Sequence, residues 1–146
     1  MKVAIGSDHG GLDLKETVIS VLKGLQIEVD DLGTHDRNSC DYPDYAQKVA
    51  NAVATGEYDK GVLICGTGIG MSIAANKVPG IRAALCNEIY SAQMARAHND
   101  ANVICMGARV VGGGVAAEIT KAFFTTEHEG GRHAGRVAKI HLIEQR

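Results

Sequence analysis

The chain has 146 residues, of which 45% are hydrophobic and 22% are charged. This balance is typical of one folded globular domain and excludes disordered, collagen-like and membrane-spanning chains. Fifteen Lys and Arg side chains against seventeen Asp and Glu give a net charge of -2, and the chain has no tryptophan. It therefore lacks the basic surface and the aromatic platforms that nucleic acids demand, and the basic surface that anionic membranes demand. We expect neither partner.

The N-terminal segment and the cysteines both indicate a cytoplasmic protein. The apolar run at the start of the chain ends at Ile5 and is followed by a polar segment, residues 6–9, too early for a secretory signal. No Cys-x-x-Cys pair occurs, and we expect four free thiols: Cys40, Cys65, Cys86 and Cys105. Neither the cysteines nor the histidines have the spacing of metal ligands, so no metal site is expected.

Short β-branched runs alternate with helical patterns along the chain. Five runs are apolar enough for parallel strands that are covered on both faces. They are residues 3–6, 27–32, 61–65, 82–86 and 103–106. Because short strand–helix–strand units require right-handed crossovers, the pattern predicts an α/β fold, a three-layer sandwich with a five-stranded parallel sheet, as one domain over residues 1–146.

The helices between these strands are predicted from apolar residues at spacings of three and four. Residues 14–25 and 45–53 carry the first two stripes. Asn87 is expected to cap a helix over 88–97, and the glycines at 112–114 are expected to open another. A last helix is expected from about 131. Ligands of such sheets bind beyond the carboxyl ends of the strands, so the residues there are the candidates for function.

The residues after the first strand are similar to a dinucleotide-binding loop, but the match fails at its centre. Asp8 replaces the middle glycine of G-x-G-x-x-G, and its carboxylate would repel a pyrophosphate from the helix N-terminus. Asp8 and His9 could instead bond to sugar hydroxyls or move protons. The alternative is that Asp8 only caps the helix that begins near Gly11.

The loop after the third strand, residues 65–72, is the most informative segment. Its alternating glycines allow backbone N–H groups to converge at a helix start, which is typical of a cradle for an oxyanion or phosphate. It is not a Walker loop, because Thr67 stands where that motif needs lysine. Thiols at helix N-termini ionise readily, so Cys65 is a candidate base or nucleophile. Cys86 and Cys105 lack such a loop and are expected to be buried structural residues.

An arginine pair near the C-terminus is a candidate phosphate-binding element. Arg132 and Arg136 are four residues apart, so they share one face of the expected last helix, where two guanidinium groups can bind one phosphate. An exposed basic surface is the alternative. His98, Asn99 and Arg109 follow other elements, and each taken alone could be a helix cap or a surface residue.

Six separated motifs occur along the chain: GSDH (6–9), DYPDYA (41–46), CGTGIG (65–70), RAHN (96–99), GAR (107–109) and GGRH (130–133). Together they resemble the type B ribose-5-phosphate isomerases, a family that includes galactose-6-phosphate and allose-6-phosphate isomerases. The resemblance covers essentially the whole chain. It implies a Rossmann-like sandwich, interconversion of D-ribose 5-phosphate and D-ribulose 5-phosphate in the pentose phosphate pathway, and no cofactor. It also implies a homodimer or tetramer with shared active sites.

The resemblance assigns catalytic roles to four residues. Cys65 takes the proton from sugar C2 and returns it to C1, and Thr67 helps to move the hydroxyl proton. His98 of the neighbouring subunit helps to open the furanose ring, with Asp8 facing the ring oxygen. Some family members use a glutamate as the base at the position of Met71, so the cysteine form applies here.

The resemblance also implies a set of substrate contacts. The enediolate oxyanion is held by backbone amides of the third-strand loop, at Gly66, Gly68, Ile69 and Gly70. The phosphate is bound by His9, Arg132 and Arg136. Tyr42, Asn99 and Arg109 complete the hydroxyl and phosphate contacts.

Two alternatives to this function stay open. Isomerisation of a hexose phosphate, such as allose 6-phosphate or galactose 6-phosphate, needs only a longer pocket with the same chemistry. A nucleotide-binding regulatory module on the same sheet is the other alternative. Asp8 and the missing Walker lysine argue against it.

Overall fold

The computed structural model describes residues 1–145 and contains one five-stranded sheet within them. Its strands are β1 (Lys2–Ser7), β2 (Glu28–Asp31), β3 (Lys60–Cys65), β4 (Ala83–Leu85) and β5 (Val103–Gly107). Every neighbouring pair is parallel, and the order across the sheet is β2-β1-β3-β5-β4. The predicted α/β fold with a five-stranded parallel sheet is confirmed.

Residues 1–145 also form six α-helices, of which the first four connect consecutive strands and the last two follow β5. They are α1 (Leu12–Gly24), α2 (Tyr42–Ala54), α3 (Ile69–Ala75), α4 (Ile89–Ala97), α5 (Gly113–Thr125) and α6 (Arg132–Glu144). Helices α1, α4 and α5 pack on one face of the sheet and α2 and α3 on the other, which gives three layers. No helix of the described chain is long and apolar enough to cross a membrane.

Side chains of the central strands alternate between two apolar cores. In β1, Val3 and Ile5 pack with α1 and α5, whereas Ala4 between them packs with α2. All three are fully buried. The central strands β1, β3 and β5 are therefore held rigidly side by side, and the loops that follow them meet at one edge of the sheet.

The prediction that residues 27–32 and 82–86 form strands covered on both faces is wrong, because both lie at edges of the sheet, and β4 is only partly buried, with Leu85 exposed. Strand β2 lies at the edge of the sheet, where Glu28 is exposed and the other three residues are only partly buried. Charged side chains on an edge strand protect it from pairing with a second sheet, which explains why this strand is polar.

The prediction that Asn87 caps α4 is also wrong. The Glu88 carboxylate caps this helix by accepting hydrogen bonds from the backbone N–H groups of Tyr90 and Ser91, at 2.7 Å each. Asn87 instead accepts a hydrogen bond from the N–H of Gly107 at 3.1 Å. This contact joins the ends of β4 and β5, and so braces the edge of the sheet where the loops meet.

Candidate active site

Glycines allow the loops at the carboxyl edge of the sheet to touch one another. A Cβ atom at Gly11 would lie 2.5 Å from the carbonyl oxygen of Ile64, so the segment after β1 packs directly on β3. A Cβ atom at Gly107 would lie 2.6 Å from the carbonyl carbon of Thr67, so the loop after β3 packs on the end of β5. Larger residues at either position would separate the loops.

A cavity of about 420 Å³ opens where these loops meet. Eight of its nine lining residues were candidates from the sequence, and the ninth is Ile73. The lining is Asp8, Tyr42, Cys65, Gly66, Thr67, Ile69, Gly70, Ile73 and Arg109. Such a cavity holds a molecule the size of a small sugar phosphate.

The turn after β3 presents Cys65 with a hydrogen-bond donor. The backbone N–H of Gly68 donates to Cys65 Sγ at 3.1 Å, and the thiol is 5% exposed. Gly68 has a φ of 78°, and a Cβ atom there would lie 2.6 Å from Cδ1 of Leu85, so the turn requires glycine. Thr67 Oγ1 accepts from the N–H of Ile69 at 3.2 Å. The sulfur of Cys65 therefore lies at the cavity wall with a backbone donor directed at it.

Cys86 follows β4 and Cys105 lies in β5, and the surroundings of both differ from those of Cys65. Cys86 and Cys105 are buried in the two cores, outside the cavity lining. Burial raises the pKa of the Cys86 thiol to about 12 and also raises that of Cys105. Their predicted role as buried structural residues is confirmed.

Asp8 both caps a turn and faces the cavity, so the two readings of this residue are compatible. Its Oδ1 accepts a hydrogen bond from the N–H of Gly11 at 3.1 Å, and the carboxylate is buried while lining the cavity. The neighbouring His9 is half-buried, and its Nδ1 accepts from the N–H of Cys40 at 3.3 Å. Since an accepting Nδ1 carries no hydrogen, Nε2 is the nitrogen that can donate to a ligand.

Arg109 and Tyr42 form two walls of the cavity. The Arg109 guanidinium lies over the backbone of Gly66, where a Cβ atom would be 3.1 Å from Nη1. Within residues 1–145 it makes no ion pair, so its charge is available to an anion. The Tyr42 ring packs on Gly70, where a Cβ atom would be 2.6 Å from the ring.

The remaining candidates lie outside this cavity. His98 is the C-terminal cap of α4, and Asn99 lines a separate cavity of about 290 Å³. Arg132 and Arg136 are exposed on successive turns of α6, which continues unbroken through Gly135. Among the described residues neither arginine makes an ion pair. One chain thus holds the candidates in two separate groups.

Comparison with known proteins decides the family. The model of the ribose/galactose isomerase family matches residues 3–140. The chain belongs to this family. Ribose-5-phosphate isomerase B of Escherichia coli is 53% identical and is aligned over 99% of this chain and 97% of its own. The structure of Clostridium thermocellum ribose-5-phosphate isomerase B superposes with a TM-score of 0.97 at 56% identity, covering 99% of this chain and 98% of that one.

A third relative shows the range of substrates within the family. D-erythrulose-4-phosphate isomerase of Pectobacterium atrosepticum is 47% identical, aligned over 99% of this chain and 95% of its own. The resemblance stated from the six motifs is thereby confirmed for the isomerase family and for the fold, and the chain is an enzyme of this family.

A cluster that sequence reasoning missed lies beside His98. The imidazoles of His98 and His133 stack with centroids 4.1 Å apart and planes 8° from parallel, and His133 Nε2 lies 3.3 Å from a Glu129 carboxylate oxygen. Ligand atoms of the three side chains lie within 4.8 Å of one another. Nearly parallel rings direct their nitrogen lone pairs along separate planes, which favours a stacked pair over shared coordination of one ion. The expectation of no metal site stays a prediction.

Different signals were available for the missed residues. Ile73 stands four residues after Ile69 on α3, so its helical spacing could have placed it on the cavity face. His133 and Glu129 are adjacent to His98 only through the fold, and no spacing in the sequence indicates that contact.

Proposed function

We propose that the chain interconverts D-ribose 5-phosphate and D-ribulose 5-phosphate through an enediolate. The observation that carries the proposal is the buried Cys65 thiol with the Gly68 N–H on its sulfur, at the wall of a cavity the size of a small sugar phosphate. The two relatives that share more than half of this sequence and are named ribose-5-phosphate isomerase B support the choice of substrate.

The isomerisation moves two protons, and the chain has a group for each. The Cys65 thiolate removes the proton from C2 of the open-chain aldose, which places negative charge on O1 of the enediolate. The thiol then returns a proton to C1, while the proton on O2 moves to O1 with the help of Thr67. Backbone N–H groups of residues 66–70 stabilise the oxyanion where its charge develops.

The phosphate is bound by unpaired positive charge. Arg109 at the cavity and the exposed pair Arg132 and Arg136 are three guanidinium groups without ion pairs among residues 1–145. Bidentate contacts from arginine are well matched to phosphate oxygens, and His9 adds an Nε2 donor. Asn99 and Tyr42 contact the sugar hydroxyls.

Ring opening requires a second chain. Opening of the furanose adds a proton to the ring oxygen, breaks its bond to C1 and removes the proton of the O1 hydroxyl. His98 moves one of these protons, and Asp8 lies at the ring oxygen. The cavity that holds Cys65 is not lined by His98, Asn99 or the α6 arginines. This supports their coming from a neighbouring subunit of a homodimer or tetramer, as the family resemblance implies for His98.

Exposed apolar residues around the cavity support this assembly. Ile69 and Ile73, which line the cavity on α3, are 52% and 58% exposed. An apolar surface next to an incomplete site is typical of a subunit interface.

The proposal includes the setting of the reaction. An aldose–ketose isomerisation is internally balanced in electrons, so the chemistry calls for no redox cofactor. The four cysteines form no disulfide within residues 1–145, which supports a reducing compartment, the cytoplasm. The reaction belongs to the pentose phosphate pathway.

A different sugar phosphate is the second candidate, favoured by the Pectobacterium relative that is named for a four-carbon substrate. Comparison of kcat/KM on ribose 5-phosphate, D-erythrulose 4-phosphate and D-allose 6-phosphate decides between them. We expect the pentose phosphate to be preferred, and a higher kcat/KM on either of the others would replace it as substrate.

The test of the chemistry is Cys65→Ser. A serine hydroxyl is a much weaker base, so turnover of ribose 5-phosphate should fall by at least about 100-fold while substrate still protects the variant against heat. Cys86→Ala removes a buried thiol outside the cavity and is the matched control, which should retain turnover. If Cys65→Ser keeps most of its activity, Cys65 is not the base.

A further inference from the structure

The His98 imidazole is held by another ring rather than by hydrogen bonds. His98 follows the last turn of α4, and its backbone N–H donates to the carbonyl of Met94 at 2.9 Å. Within residues 1–145 its side chain makes no hydrogen bond, and its ring lies flat on His133 at 4.1 Å between centroids. The orientation of His98 therefore depends on His133.

His133 is itself firmly placed. Its side chain is 8% exposed, its Nε2 lies 3.3 Å from Glu129, and its backbone N–H donates to the carbonyl of Gly130 at 3.0 Å. The segment before α6 is tied to the end of α4, since the N–H of Glu129 and Nδ1 of His128 both lie 3.0 Å from the carbonyl oxygen of Ala97. The two segments that carry the rings are thus joined to one another.

The charges around the stack favour a neutral His133. Desolvation, His98 and then the α6 arginines Arg132 and Arg136 lower the pKa of His133, against the opposing effect of Glu129. Two stacked imidazoles repel one another when both are protonated.

We propose that His133, anchored by Glu129, is a positioning residue that holds the His98 imidazole flat and correctly aimed for opening of the sugar ring. The inference rests on the proposed function, in which His98 acts on the cyclic form of the substrate. It predicts that loss of the flat ring at position 133 impairs ring opening and leaves enediolate formation intact.

Ribulose 5-phosphate separates these two steps. Its C5 oxygen carries the phosphate, so its C2 ketone cannot close a five-membered ring, and the sugar is open-chain. Exchange of a C1 hydrogen for solvent deuterium in ribulose 5-phosphate therefore reports enediolate formation at Cys65 without ring opening. Conversion of ribose 5-phosphate, which is mostly a furanose, reports both steps.

The experiment compares His133→Leu with His133→Phe in the full chain. Leu fills similar space without a flat ring, whereas Phe keeps the stack and loses the contact with Glu129. We expect His133→Leu to lower kcat for ribose 5-phosphate by about tenfold to 100-fold with deuterium exchange near the wild-type rate, and His133→Phe to recover part of the loss. His141→Leu, two turns further along α6, is the control and should leave the ratio of the two rates unchanged.

Each outcome is decisive. Equal loss of isomerisation and exchange in His133→Leu, or a Phe variant no faster than the Leu variant, overturns the positioning role. Calorimetry shows which variants fold, and His133→Ala replaces His133→Leu if the latter does not. Failure of the proposed function looks different, because the wild-type chain would then catalyse neither reaction of the pentose phosphates.

Discussion

At the residue scale, cysteines of one chain show how surroundings set chemistry. Cys65 receives an N–H hydrogen bond on its sulfur and lines the cavity, whereas burial raises the pKa of Cys86 to about 12. A thiolate is stable only where donors replace the water it has lost. The turn that supplies the donor depends on Gly68, so a single backbone conformation supports the chemistry.

We expect Gly68→Ala to destabilise the fold by about 1–3 kcal/mol, because alanine is strained at positive φ and its Cβ would collide with Leu85. Gly135→Ala is the matched control. Gly135 lies in α6 with open space around its Cα, so alanine there should stabilise by up to about 1 kcal/mol. Urea unfolding measures both, and equal effects of the two changes would contradict the strained turn.

The arginines of α6 give a second prediction at this scale. Arg132→Ala and Arg136→Ala should each weaken binding of ribose 5-phosphate by about 1.5–3 kcal/mol, the usual contribution of a charge-assisted hydrogen bond. Activity on unphosphorylated ribose should change much less. Steady-state kinetics on both sugars tests this, and equal losses on the two would mean that the arginines do not bind the phosphate.

At the element scale, the sequence pattern located every strand to within about two residues, because buried β-branched runs and helical stripes differ in period. The expectation of cover on both faces failed for residues 27–32 and 82–86, since these edge strands are only partly buried. The expected Asn87 cap of α4 was also wrong. The side chains of Asn87 and Glu88 are both of a type that can cap a helix. In the structure, the Asn87 side chain accepts a hydrogen bond from the N–H of Gly107, and Glu88 caps the helix instead.

The Glu88 cap predicts a pH dependence of stability. Hydrogen bonds from Ser91 and Tyr90 hold the pKa of Glu88 below its ordinary value of 4.5. A carboxyl whose pKa is lowered on folding stabilises the fold above its unfolded pKa and loses that stabilisation as the pH falls through its folded pKa. Glu88→Gln should therefore lower Tm at pH 7 and have a smaller effect near pH 3.

Calorimetry at the two pH values measures this difference. Glu57→Gln removes an exposed carboxylate that caps no helix, and it controls for the change in net charge. A Glu88→Gln effect on Tm that is the same at both pH values would contradict the charged cap.

At the scale of the whole molecule, the candidate residues divide between a cavity at the sheet edge and a surface formed by α4 and α6. The cavity was predictable, because parallel strands bring the residues after them together. The contact of His98 with His133 was not, since it depends on how α6 returns to the end of α4. In the proposed function the two groups meet between chains, and no pattern in one sequence can show such a relation.

The shared site is tested most directly by mixing two inactive variants, Cys65→Ala and His98→Ala. In a two-fold dimer, each mixed pair has one doubly damaged site and one intact site. Unfolding and refolding equal amounts together should make about half of the dimers mixed, so about a quarter of all sites should convert ribose 5-phosphate. Mass spectrometry confirms that mixed dimers form. We predict activity far above that of either variant refolded alone, and abundant mixed dimers with no gain in activity would contradict a site built from Cys65 of one chain and His98 of its neighbour.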